Sequence, residues 1–233
     1  MQLSLYAADH GACPYLPGRR WITHSFQLSE MPGSAYEALL ADRWRRSGLV
    51  FYQNHCPGCD CCIPVRVAVD GFVPSRSQRR TARRNTDVTV HLEPPSLDDE
   101  LVSLYRRYVQ ARHDRADPAE PDQFERFLVS SPMDSRMMRY WVGDRLVGAG
   151  WIDLLPNGIS SVYFAFDPAD SRRSLGTFSI MQEIALARRL GKQWLYLGFF
   201  VPGSSKMEYK GAFEPGEYAV GGKWITDRGL LPC

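Results

Sequence analysis

The chain has 233 residues, with 28 Lys and Arg against 26 Asp and Glu, so its formal net charge of +2 selects no partner and any basic signal is local. Hydrophobic residues make up 44% and charged residues 23%, ordinary proportions for a soluble globular protein between one large domain and two small ones. No apolar run approaches the roughly 20 residues that span a bilayer, and the first stretch, MQLSLYAADHGACPYLPGRR, lacks the basic lead and apolar centre of a secretory signal, which predicts a cytoplasmic protein without a membrane partner.

Residues 1–30 are aromatic-rich and read as irregular, with a turn-forming loop from Cys13 to Gly18. Ser34 and Glu37 have capping-box spacing and open a predicted helix that turns Tyr36, Leu39 and Leu40 inward and ends before Gly48. Val65, Val67 and Val69 alternate with Arg66 and Ala68, the pattern of a half-buried strand over Ile63–Val69. Pro74 and Ser75 mark a helix start ahead of five arginines, and Val88–Leu92 reads as a further strand. Glu93-Pro-Pro95 is a natural boundary, because proline continues neither a strand nor a helix.

Beyond it a helix over about Leu97–His113 aligns Leu97, Leu101, Leu104, Tyr105 and Tyr108, and a shorter one follows at Pro121–Ser130. Strands at Met137–Val142, Arg145–Leu155 and Ser160–Phe166 are joined by the hairpin-grade turns Gly143-Asp144 and Pro156-Asn157-Gly158. A helix over Ser174–Leu190 precedes a strand at Gln193–Val201. This is an α+β plan, with domains predicted at 1–95 and 96–233.

The chemistry-bearing residues cluster. Arg76, Arg79, Arg80, Arg83 and Arg84 fall on one helical face and repel one another unless an anion neutralises them. Guanidinium forks match phosphate oxygens, which points to a nucleic-acid backbone, RNA more than DNA; the bland alternative is a solvated basic face. Cys56, Cys59, Cys61 and Cys62 lie just upstream. Cys56, Cys59 and Cys62 with Cys13 would supply four thiolates for zinc or an iron–sulfur cluster, leaving Cys61 spare and Cys233 isolated; the alternative is a set of small buried hydrophobes. In the second half, Arg173-Ser174-Leu175-Gly176 opens a helix after a strand and resembles part of the acyl-donor loop of GNAT acetyltransferases. Lys206, Tyr209 and Lys210 gather after the last strand.

Taken together, Cys13-Pro-Tyr-Leu-Pro17, Arg45-Arg-Ser-Gly48, the cysteine cluster, Pro64-Val-Arg-Val67, Ser75–Arg80 with Asn85, Asp167-Pro168, Arg173–Gly176, Tyr196-Leu-Gly198 and Lys206–Lys210 resemble, in order, the bacterial aspartate/glutamate leucyltransferases, relatives of the arginyl-tRNA–protein transferases. The resemblance implies transfer of leucine from leucyl-tRNA to proteins beginning with Asp or Glu. This places the chain upstream of the degradation machinery of the N-degron (N-end rule) pathway. It also implies a small cysteine-containing N-terminal domain packed on a GNAT-like C-terminal acyltransferase domain, and a chemistry that requires no cofactor.

On this reading Arg173, Ser174, Gly176, Lys206, Tyr209 and Lys210 serve the reacting ester. Arg76 grips the acceptor carboxylate, with Arg66, Tyr163 and Tyr196 as further substrate contacts, and Arg79, Arg80, Arg83 and Arg84 hold the tRNA. An arginyl donor, a non-catalytic RNA-binding protein with a metal knot, and an acyl-CoA acetyltransferase are the rival readings.

Overall fold

The computed structural model describes residues 4–113 and 121–233. Two sheets organise it. A four-stranded antiparallel sheet, in the order β1 (Tyr6–Ala12), β2 (Arg20–Gln27), β4 (Val50–Asn54), β3 (Trp44–Ser47), is formed by the first quarter of the chain. The start of the chain is therefore a hairpin and not irregular. The helix expected from Ser34 is α1, Gly33–Ala41, and it is shorter than its hydrophobic pattern suggested. Arg43, at φ 68°, turns the chain sharply, and residues 44–47 are a strand. The Ser34–Glu37 capping box does not form: Glu37 is used elsewhere, accepting from the Asn157 backbone N–H at 3.1 Å and from the Tyr196 hydroxyl at 3.1 Å.

The second sheet has eight strands, in the order β12 (Lys223–Ile225), β11 (Gly216–Val220), β5 (Ile63–Ala68), β10 (Trp194–Phe200), β9 (Gly158–Phe166), β8 (Arg145–Leu154), β7 (Ser135–Val142), β6 (Val88–Glu93). Every neighbouring pair is antiparallel except β9 and β10, which run parallel because α5 (Leu175–Arg189) crosses between them. Strands β5 and β6 precede residue 95, so the sheet is continuous across the boundary that Pro94-Pro95 suggested.

Side chains alternate between the two faces of this sheet, and each face has its own core. Met138, Tyr140, Val147 and Ile152 pack with Leu175, Ile180 and Ile184 of α5. Met137, Leu146, Ala149 and Trp151 pack on the other face with Leu101, Leu104 and Tyr105 of α3 (Asp99–His113). On that same face α1 and the small sheet cover β10, through Tyr36, Leu40 and Phe51 against Tyr196 and Leu155. A buried ion pair fastens the two sheets: Arg46 of β3 donates from Nε to Asp153 of β8 at 2.7 Å, and to Ser135 and the Gly48 carbonyl at 3.0 Å each. Removing one partner of such a pair costs roughly 3–5 kcal/mol, because the other charge stays buried. Gly48, at φ 58°, must be glycine, since a Cβ there would lie 2.1 Å from the Arg126 carbonyl oxygen.

The arginine helix is α2, Arg76–Arg84, with the Ser75–Gln78 capping box formed in both directions. Gln78, Thr81 and Asn85 turn inward and all five arginines are exposed. Gln78 donates to the Ala212 carbonyl at 3.1 Å, and Asn85 to the Arg173 carbonyl at 2.8 Å. Ala212 lies in the 3-10 turn Glu208–Ala212 after β10, and Arg173 in the turn Pro168–Arg173 after β9. Helix α2 therefore spans from the carboxyl end of one parallel strand to that of the other.

Candidate active site

The two parallel strands pair only at their beginnings, with Trp194, Leu195 and Tyr196 opposite Gly158, Ile159 and Ser160. Each then inserts one extra residue. The register of β9 against β8 slips between Ser161 and Tyr163, and that of β10 against β5 slips between Tyr196 and Gly198. A bulge bends its strand and raises its twist, so two bulges at the last shared pair drive the strands apart. The middle of β9, Ser161–Phe164, is only half-buried although it lies deep inside an eight-stranded sheet. The resulting wedge opens the sheet, so groups from its two faces act on one another.

Glu183 comes from the α5 face. It is wholly buried, accepts from the Ser161 hydroxyl at 3.3 Å through Oε1, and leaves Oε2 without a partner among the described residues. Burial pushes its carboxyl up to about 8, against the weaker opposing pull of Ser161 and Lys210. Lys210 comes from the turn after β10. Burial pushes its ammonium down to about 7, reinforced by the nearby Arg45 guanidinium and opposed by Cys62 and Glu183. Arg45 comes from β3 on the other face. Gly198, at φ 86°, is the backbone point where Arg45 and Lys210 converge: a Cβ there would lie 3.2 Å from Arg45 Nη2 and 3.3 Å from Lys210 Nζ.

The remaining candidates are distributed around this wedge. Tyr209 is 43% exposed as a whole, and burial of its hydroxyl, with Glu183 and Tyr108 acting the same way, pushes it up to about 12. Lys206 is exposed. Ser174 takes the left-handed conformation at φ 56° and begins α5 without a side-chain cap, and Gly176 stands in the first turn with open space beside it. Arg173 differs from expectation. Its guanidinium is taken up by Asp87, at 2.8 and 2.9 Å, and by Asp170 at 3.1 Å, so it fixes the lip of the wedge to the segment after α2.

Arg66 and Tyr196 both have partners within the protein. Arg66 donates to Glu217 at 2.6 and 2.8 Å and stacks 3.6 Å from the Trp194 ring and 4.3 Å from that of Trp224. Tyr196 is buried against α1, with its hydroxyl on Glu37. Tyr163 faces α3 within a ring cluster of Tyr105, Tyr108, Phe127 and Trp151. Arg76 lies at the exposed first turn of α2, in line with Arg80 and Arg83; none of these three guanidinium groups meets a hydrogen-bonding or ionic partner among the described residues. Arg79 donates to the Pro74 carbonyl at 2.5 Å, and Arg84 to the Arg172 carbonyl.

Cys13, Cys56, Cys59 and Cys62 are free, half-buried thiols. Cys62 is pushed up to about 12 by burial and then by the other three, so the four lie within electrostatic reach of one another. Among the described residues no three His, Cys, Asp or Glu side chains are set to hold a metal ion. No step is therefore derived through a metal. The two cysteines outside the predicted set, Cys61 and Cys233, form a disulfide that brings the last residue back beside the start of β5.

Sequence reasoning missed Arg45 and left Glu183 undecided against Asp153. The adjacent Arg45 and Arg46 were the only signal for the first, and they read as a basic helix end. The structure separates the two acids: Asp153 is spent on Arg46, and Glu183 stands in the wedge.

Residues 11–80 match the family model described as arginine-tRNA-protein transferase, N terminus, and residues 100–220 its C terminus. An aspartate/glutamate leucyltransferase of Pseudomonas fluorescens is 38% identical over 227 residues, covering 96% of this chain and 97% of that protein. One of Chromohalobacter salexigens is 40% identical over 220 residues, covering 92% and 89%. Among solved structures, FemX aligns over 87% of this chain and 81% of its own, with 9% identity and a TM-score of 0.48. No helix among the described residues is long and apolar enough to cross a membrane. With both halves matched and near-complete relatives at this identity, the chain belongs to the arginine-tRNA-protein transferase family and is an aminoacyltransferase acting between an aminoacyl-tRNA and a protein.

Proposed function

We propose that the chain moves leucine from leucyl-tRNA to the α-amine of proteins that begin with Asp or Glu, marking them for the N-degron degradation machinery. The observation that carries the reading is the wedge between β9 and β10, where Lys210, Glu183 and Arg45 meet in a chain whose relatives are named for leucine transfer to those two residues. Leucyl-tRNA is made in the cytoplasm, and there we place the reaction.

The donor is an ester and already activated, and the nucleophile is an α-amine with a reference pKa of about 7.7–8.0. The amine nitrogen attacks the leucyl carbonyl carbon and a C–N bond forms. The C–O bond to the terminal ribose breaks, the ribose oxygen leaves as a hydroxyl, and the ammonium's surplus proton is released. Lys210, lowered to about 7, exists in both forms near neutrality, so it can take that proton as a base and support the developing oxyanion once charged. Glu183, raised to about 8, stays largely protonated at pH 7 and leaves the wedge to its cations. Outside, the exposed arginines of α2 lie along the carboxyl ends of both strands, where they suit the phosphates of a tRNA acceptor end.

The test offers peptides beginning with Glu, Asp or Lys together with labelled leucyl-tRNA, arginyl-tRNA or acetyl-CoA. Label on the Glu and Asp peptides from leucyl-tRNA alone is the expected result. Label from arginyl-tRNA in its place makes the chain an arginyl transferase, and transfer from none of the three overturns the reading.

A further inference from the structure

Arg45 is 6% exposed, and its Nε and Nη2 have no hydrogen-bond partner among the described residues. Its neighbour Arg46 is equally buried but is satisfied by Asp153, Ser135 and the Gly48 carbonyl. Arg45 touches instead the face of the Phe199 ring, 5.7 Å away, and the backbone at Gly198. Lys210 Nζ approaches the same point, 3.3 Å from where a Gly198 Cβ would stand. The buried Arg45 guanidinium and the half-buried Lys210 amine thus converge on one position. Burial keeps Glu183, the acid whose charge reaches Lys210, largely neutral at pH 7, and among the described residues no carboxylate hydrogen-bonds Arg45 Nε or Nη2. Like charges held together at low dielectric call for an anion between them.

We infer that Arg45 binds the side-chain carboxylate of the acceptor's first residue, next to Lys210 at the reacting amine, and so sets the requirement for Asp or Glu. The inference rests on the leucyl-transfer reading. The planar guanidinium fork matches a carboxylate in bidentate fashion. A side-chain carboxylate is separated from its own α-amine by only a few bonds, so its anchor must lie beside the reacting amine, and Lys210 ties Arg45 to that place. A tRNA phosphate carries a ribose on either side and suits the open arginines of α2 better than a buried point on β10. An amide side chain, as in Asn or Gln, would leave both cations unmet. Arg76, which the sequence suggested for this role, lies instead in solvent on α2.

The experiment compares wild type with Arg45→Met, which keeps length and removes charge, using peptides that begin with Glu or Gln. The expected result is a fall of about hundredfold in the ratio of kcat/KM for the Glu peptide over the Gln peptide, the scale of losing one partner of a buried charge pair. KM for leucyl-tRNA stays unchanged, and Tm is not lowered, because an unpaired buried charge has been replaced by an apolar side chain. Arg45→Lys, which keeps the charge without the fork, is expected to retain part of the ratio. Loss of leucyl-tRNA affinity with the Glu/Gln ratio intact overturns the inference. So do equal losses on both peptides with a lowered Tm, which would make Arg45 a packing residue. A separate readout needs no transfer: the Glu peptide alone should raise the wild-type Tm and the Gln peptide should not, with the difference gone in Arg45→Met. If leucine moves to no peptide yet this shift is seen, the transfer reading fails and the carboxylate site stands; equal shifts from both peptides sink the site.

Discussion

Glu183 shows at the residue scale how burial alone can set a proton. Its carboxyl, moved from 4.5 to about 8, binds a proton in the folded chain that the unfolded chain has released across that interval. Stability therefore falls as pH rises from about 4.5 to about 8 and levels off above, since the folded state holds more protons there. Lys210 acts with the opposite sign in a different window, its contribution rising between about 7 and 10.5. In urea unfolding, Glu183→Gln should gain stability relative to wild type between pH 5 and pH 8 by roughly 2–4 kcal/mol. A difference that does not change with pH would show that Glu183 is not held protonated. None of this was legible in the sequence, where Glu183 is one acid in the middle of a helix. Its burial depends on Ser161, 22 residues earlier in the chain, and on the wedge that both bulges create.

At the scale of elements, α2 is the arm that faces the nucleic acid. Its inward side chains dock it on both lips of the wedge, which leaves Arg80 and Arg83 free for phosphates. Replacing both by alanine should weaken leucyl-tRNA binding and reduce the slope of log K against log salt by about 1 per arginine, without changing KM for the acceptor peptide. An unchanged slope would place the tRNA elsewhere. This helix was legible because its signals are local: Ser75 and Gln78 cap each other, and five arginines share the face opposite Gln78 and Thr81. Helix α1 carried an equally good capping pattern that the fold overrides, since Glu37 does more by joining Asn157 and Tyr196. Strand β3 was read as helix because the burial of Arg45 and Arg46 is set by β8 and β10, more than a hundred residues downstream, and no local pattern records it. Strands β1, β2, β11 and β12 escaped for a similar reason, being placed by pairing more than by their own alternation.

At the scale of the whole molecule, the eight-stranded sheet is opened where β9 and β10 part. Segments on both sides of residue 95 contribute strands to it, and both contribute to the wedge: Arg45 comes from the first family segment, Glu183 and Lys210 from the second. The class of fold, the family and the tail carrying Lys210 were readable from ordered motifs, whereas the meeting of Arg45 with Lys210 over Gly198 is a property of the assembled chain alone. The central claim is that leucine is transferred at this meeting point. Single-turnover transfer from leucyl-tRNA to a Glu-initiated peptide, in wild type and Lys210→Met, tests it most directly. The account predicts a rate at least about a hundredfold lower in the variant, with leucyl-tRNA binding intact. A Lys210→Met protein that transfers leucine at the wild-type rate would contradict it.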